Sequence, residues 1–251
     1  MSNKGNVLFL ILLAIALFAA LSYAVTQSSR SSGRDAAAEN AITDAAQITQ
    51  YATLVEQTVT RLRLSNGCRD TQISFAADSD GDGNWYDADD DYHNPNAPSD
   101  FSCHVFHSAG GALQKIAPKA SWLLTSFINT TYETHLGYYV FTGELPITDI
   151  GLNPGGAESS ELLIKLGLLK KEVCFAINNQ LGIDNSSISE QVAWYGYSNQ
   201  DFFRGTYSLQ GVTASIGNDT FPSGKSSGCL ERNDVGGNRG LFQFYHVLIA
   251  R

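Results

Sequence analysis

The chain has 251 residues, 43% of them hydrophobic, and a net charge of −9, which leaves room for one sizeable domain plus an anchor and excludes wholesale disorder. Seven Asp and no Lys or Arg fall between Asp78 and Asp91, so most of the excess negative charge is local. Nucleic acid, which calls for a basic face, is not expected as a partner.

In chain order, the first feature is the apolar run Val7–Val25, VLFLILLAIALFAALSYAV, preceded by Lys4 and followed by Arg30 and Arg34. At 1.5 Å per residue it would form a helix of roughly 28 Å, close to the hydrocarbon thickness of a bilayer. It is longer than the apolar part of a cleaved signal peptide. The reading is a short basic leader (1–5) and a transmembrane or filament-core helix (6–26), single-pass with the N-terminus inside and the body outside. The polar stretch Gln27–Gly33 reads as a break. Arg34 to Asn66 then contains neither Gly nor Pro. Ala38, Ala41, Ala45, Ile48, Ala52, Val55, Val59 and Leu62 recur at spacings of three and four, one apolar stripe on a helix. Residues 27–66 are therefore assigned to an amphipathic helix and 67–251 to a globular domain.

A leader ending in Gly5, about 20 apolar residues, and then a long amphipathic helix entering a cysteine-bearing domain resemble the type IV pilins and type II secretion pseudopilins. The resemblance implies cleavage by a prepilin peptidase between Gly5 and Asn6, methylation of the new N-terminus, and assembly with other pilin-like subunits through the N-terminal helix. It also implies residence in a bacterial inner membrane, with the body in the periplasm or on an extracellular filament. Family members usually carry Glu at the fifth mature position, where this chain has Leu10. In the family that carboxylate is thought to neutralise the N-terminal amine of the adjoining subunit, and a buried unpaired amine is costly. A minor or tip subunit has no such need, which makes that position the implied one.

Four cysteines, Cys68, Cys103, Cys174 and Cys229, occur without a CxxC pair, a spacing that disfavours a thiolate zinc site. Outside the cytoplasm they read as disulfides. Of the three possible pairings, short-range closure favours Cys68–Cys103 with Cys174–Cys229.

The acidic loop 78–91 opens with Asp78-Ser79-Asp80-Gly81-Asp82-Gly83, the D-x-D-x-D-G half of a calcium loop. Alternate carboxylates turn inward on such a loop, and hard Ca²⁺ takes six to eight oxygens. Asp78, Asp80 and Asp82 are the first candidate ligands, with the Asn84 carbonyl and Asp87, Asp89 or Asp90 completing the set around a structural Ca²⁺. Position 12 of an EF-hand would be Asp89 rather than Glu, and no helices flank the loop. The competing reading is a solvated acidic turn.

Strand candidates are Gln72–Phe75, Phe101–Phe106, Trp122–Phe127, His135–Gly143, Val212–Ile216 and, most clearly, Leu241–Ile249. Asn94-Pro95-Asn96-Ala97-Pro98 reads as a turn. Glu158–Leu181 reads as a second helix, with Leu162, Leu163, Leu166, Leu169, Val173, Ala176 and Ile177 on its core face. The fold class expected is α+β: a long N-terminal helix, membrane half plus amphipathic half, packed on an antiparallel β-sheet domain with a second helix.

No GxSxG, HExxH, GxGxxG or P-loop motif is present, and no enzyme is expected. His104 and His107, three apart on an expected strand, would face opposite sides and so make a poor metal pair. Trp194, Tyr195, Tyr197, Phe202, Phe203 and Tyr207 read as sheet core or as a binding face for an unknown surface ligand. The functional expectation is a pilin-like or pseudopilin-like structural subunit. The alternative is a membrane-tethered extracytoplasmic binding domain, adhesin- or lectin-like, that does not polymerise.

Overall fold

The computed structural model describes residues 4–78, 92–124, 137–147, 149–151, 160–188, 202–207, 224–231 and 241–251. The chain divides into two compact units, Met1–Thr43 and Asp44–Arg251. Helix α1, Lys4–Ser65, provides the described backbone of the first unit and the opening of the second. The break expected over 27–33 is corrected, because the backbone stays helical there. A single Gly costs a helix about 1 kcal/mol relative to Ala, and no proline lies in this stretch to force a stop.

A larger correction concerns the membrane half of the expected α+β architecture. Among the described residues no helix is long and apolar enough to cross a membrane. A single-pass anchor over 6–26 is not supported.

The second unit is α+β-like. Strands β1 (Tyr139–Leu145), β2 (Glu161–Leu169), β3 (Ser227–Glu231) and β4 (Phe242–Ile249) form an antiparallel sheet in the order β1-β2-β4-β3. Both central strands, β2 and β4, are buried along their whole length, which requires cover on both faces. Directly opposed residues of an antiparallel pair share a face. Phe141 opposes Ile164, which in turn opposes His246, so the three mark one face. Glu56 of α1 reaches His246 there, with Oε2 2.9 Å from Nε2. Of the stripe legible in the sequence, Ala45, Ile48, Ala52, Val55, Val59 and Leu62 are 0% exposed and Ala41 is buried, whereas Ala38 is exposed. Burial of each larger aliphatic contributes about 1.5–3 kcal/mol. An aromatic cluster adjoins them: Phe75 stacks on Phe141 with centroids 4.0 Å apart, and Tyr92, Phe106 and Phe203 surround Phe75.

Unpaired strand edges invite pairing with foreign chains, and side chains or loop backbone occupy both edges here. On β1, the Phe141 N–H donates to Tyr92 Oη (3.1 Å) and the Phe141 carbonyl accepts from the Phe203 N–H (2.8 Å). On β3, the Asn178 carboxamide donates to the Cys229 carbonyl (2.7 Å) and accepts from the Cys229 N–H (2.8 Å).

The expected helix Glu158–Leu181 is corrected to strand β2 followed by helix α2, Lys171–Gln180. An extended Lys170 separates the two, and Leu168 at φ +57° bends the end of β2. A strand buried on both faces is apolar at nearly every position and therefore also satisfies a helical spacing. The expected strands Gln72–Phe75 and Phe101–Phe106 reduce to one parallel bridge between Ser74 and His104, with a 3-10 turn at Asp70–Gln72. Trp122–Phe127 begins as a 3-10 turn, Ala120–Trp122, with a bridge from Leu123 to Leu169. Val212–Ile216 lies outside the described residues. The expected strands His135–Gly143 and Leu241–Ile249 correspond to β1 and β4, each with shifted ends.

Candidate functional site

The first unit carries the largest concentration of exposed apolar side chains among the described residues. Leu, Ala, Ile and Phe occupy a helix readily, and no Pro interrupts them. Phe9, Ile15, Leu17, Phe18, Leu21 and Tyr23 are 60–72% exposed. Successive residues point about 100° apart around a helix, so Ile11, Leu12 and Leu13, also exposed, face three different directions. The apolar surface thus encircles the helix instead of forming a stripe. A helix apolar on every side is ordinarily covered by other chains or other helices. Gly5 and Asn6, the expected processing pair, belong to the first turn of α1.

The expected calcium loop is described only at its roots. Asp78 lies at its N-terminal end, while Asp80, Asp82, Asn84, Asp87, Asp89 and Asp90 lie outside the described residues. Among the described residues no group of three or more His, Cys, Asp and Glu side chains could hold a metal ion. Both roots are firmly held. Ala76 and Ala77 are buried before the loop and Tyr92 after it. Asn94, 1% exposed, donates from Nδ2 to the carbonyls of Thr71 (3.0 Å) and Ile73 (2.7 Å), and its Oδ1 accepts from the Asn96 N–H (2.9 Å). The expected turn at 94–98 is present, closed by Ala97 N–H donating to the Asn94 carbonyl at 3.1 Å. Gly205, at φ +80°, packs where a Cβ would lie 2.3 Å from Asn94 Oδ1, so no larger residue fits. Sequence reading found the turn but missed the anchoring role of Asn94, for which Asn-Pro was the available signal.

Two disulfides join the expected partners, Cys68 with Cys103 and Cys174 with Cys229. The first ties the end of α1 to the segment that follows the acidic loop. The second ties α2 to β3. Such bonds fit an oxidising compartment.

The strand argument that kept His104 and His107 apart is corrected: the chain turns there, with Phe101 at φ +61°. The two imidazoles approach to 6.4 Å between centroids, and Phe101 stacks on His107. Burial, reinforced by His107, lowers the His104 pKa to about 4, with Asp100 opposing and His93 adding to the shift. Glu161, missed in the sequence because it was read as a helix residue, is fully buried at the start of β2. Its Oε2 accepts from the Ile147 N–H at 2.8 Å. Burial raises its pKa to about 7, partly offset by that hydrogen bond and by Arg251.

Of the aromatic-dense stretch, Phe202 and Phe203 are buried in the core beside Tyr92 and Phe75, while Trp194, Tyr195 and Tyr197 lie outside the described residues. No family model matches the chain, and neither a curated protein nor a solved structure matches it.

Proposed function

We propose that the protein is a pilin-like or pseudopilin-like structural subunit, minor or tip-located, that assembles through the N-terminal part of α1. One observation carries the reading: the apolar side chains from Phe9 to Tyr23 are exposed on every side of the helix. A single partner surface would cover one stripe, whereas neighbours on several sides, as in a bundle of like helices, cover all of it. The assembly needs helix-on-helix packing and does not depend on a bilayer span. The leader ending at Gly5 and the absence of Glu at residue 10 support processing to Asn6 and a minor position. The disulfide-bonded body would face an extracytoplasmic, oxidising space, with the acidic loop ordered by Ca²⁺. N-terminal sequencing of the native protein tests the reading, because a mature chain beginning at Asn6 is expected. A chain retaining Met1, or one beginning beyond residue 20, overturns it.

A second reading, an extracytoplasmic binding domain that does not polymerise, draws support from an open groove on the body beside Tyr51 and Trp122. Particle size by sedimentation separates the two, since only the first yields polymers.

A further inference from the structure

In the second unit, α1 and the irregular segment that follows Gly111 enclose an open groove of about 490 Å³. Gln47, Tyr51 and Leu54, spaced four and three apart, present one helix face as a wall. Ile116, Lys119 and Trp122 line the opposite side. The floor is aromatic and fixed: Tyr51 is 5% and Trp122 2% exposed, and the Tyr51 hydroxyl bonds the Ile116 backbone. The rim is aliphatic and accessible, with Leu54 43% and Ile116 36% exposed.

One cation stands at this groove. The Lys119 ammonium hydrogen-bonds Gln47 Oε1 and lies 5.5 Å from the Trp122 ring centroid. Those contacts use one of its three N–H donors and orient the group without neutralising it. Among the described residues no Asp or Glu lines the groove and Lys119 has no carboxylate partner. The enclosed volume falls in the range of about 300–1,000 Å³ typical of small-molecule sites, which combine apolar walls with few polar groups.

We propose that this groove binds a small amphipathic monocarboxylate. The carboxylate accepts hydrogen bonds from Lys119 Nζ, and the apolar body lies against Leu54 and Ile116 over the Tyr51–Trp122 floor. The proposal holds whether or not the chain polymerises.

The test uses the full chain titrated with 4-phenylbutyrate and, separately, with the uncharged 4-phenylbutanol, read by saturation-transfer NMR. The acid is expected to bind about twofold to fivefold more tightly than the alcohol, the size of one partly exposed charged contact. Lys119→Gln should remove that preference and leave alcohol binding unchanged, while Leu54→Gln should weaken both. Lys119 and Leu54 are both exposed, and unchanged melting temperatures would verify that the variants fold. Equal affinity for acid and alcohol, an acid preference that survives Lys119→Gln, or no saturable binding overturns the proposal. Binding of a short acidic peptide where 4-phenylbutyrate fails also overturns it, in favour of a peptide site.

Discussion

Helix α1 contains two apolar stretches with opposite surroundings. Between Ala45 and Leu62 the residues Ala45, Ile48, Ala52, Val55, Val59 and Leu62 recur every three or four positions, and each of these is wholly buried within the second unit. From Phe9 to Tyr23 apolar residues fill nearly every position, and the described large ones are all about half exposed or more. Local conformation is the same in both. The difference lies in the angular distribution of side chains: a stripe can be covered by one sheet of the same chain, whereas a cylinder needs several neighbours. Periodicity therefore separates the part of a helix that serves the fold from the part whose apolar surface the fold leaves exposed.

The sharpest way to break this comparison is to place one charge in each stretch. Val55→Asp buries a carboxylate with no partner and should cost roughly 3–5 kcal/mol, measured by thermal or urea denaturation of the full chain. The disulfides come next. Replacing Cys174 and Cys229 together by Ser, which frees a loop spanning 55 positions, should cost about 2–4 kcal/mol. A melting temperature insensitive to reducing agent would contradict that. The acidic loop that opens at Asp78 offers a separate test. If the loop binds Ca²⁺, an ion concentration one hundredfold above Kd should add about 2.7 kcal/mol, reversed by chelator. Absence of both heat and a melting shift on titration would end the calcium assignment.

Two buried titratable groups give effects of opposite sign. The His104 pKa is lowered from 6.5 to about 4, so the unfolded chain binds more protons between those values. Its contribution is fully present above pH 6.5 and is lost as pH falls toward 4. The Glu161 pKa is raised from 4.5 to about 7, so the folded chain binds more protons in that window. Its contribution is present below pH 4.5 and is lost as pH rises toward 7. Across their overlap the two slopes oppose each other. Glu161→Gln should leave stability rising with pH between 4 and 6.5, and His104→Gln should leave it falling between 4.5 and 7, in urea titrations at fixed ionic strength. The smallest expected effect on stability completes the comparison. Leu17→Asp should change the melting of the body by no more than about 0.5 kcal/mol, as for other exposed positions, yet abolish sedimentable assemblies. A large loss of body stability in this variant would show that the apolar cylinder serves the fold after all.

Much of the fold was legible wherever the signal was local. The stripe from Ala45 to Leu62, the β4 run and the Asn-Pro turn all follow from short-range spacing. Cysteine order and short-range closure led to both disulfides. The candidate assembly stretch was legible as an apolar run, but its length was read as a bilayer span, which the described helix does not support. Asn94 and Glu161 escaped notice for a related reason. Each is an ordinary polar residue in sequence, and its role arises from backbone groups at Thr71, Ile73 and Ile147 that only the folded chain brings near.

The amino-acid order alone determined the helical stripe that ends at Leu62 and the concentration of negative charge in one loop. Those properties depend on neighbours a few positions away. Tertiary structure decided that Glu161–Leu169 is a central strand, because its Leu and Ile residues suit either conformation until β1 and β4 supply backbone partners on both sides. It likewise placed Lys119 over Trp122 and against Gln47, through segments separated by some 70 positions. Pairing between distant segments is a property of the closed chain, and no local pattern encodes it.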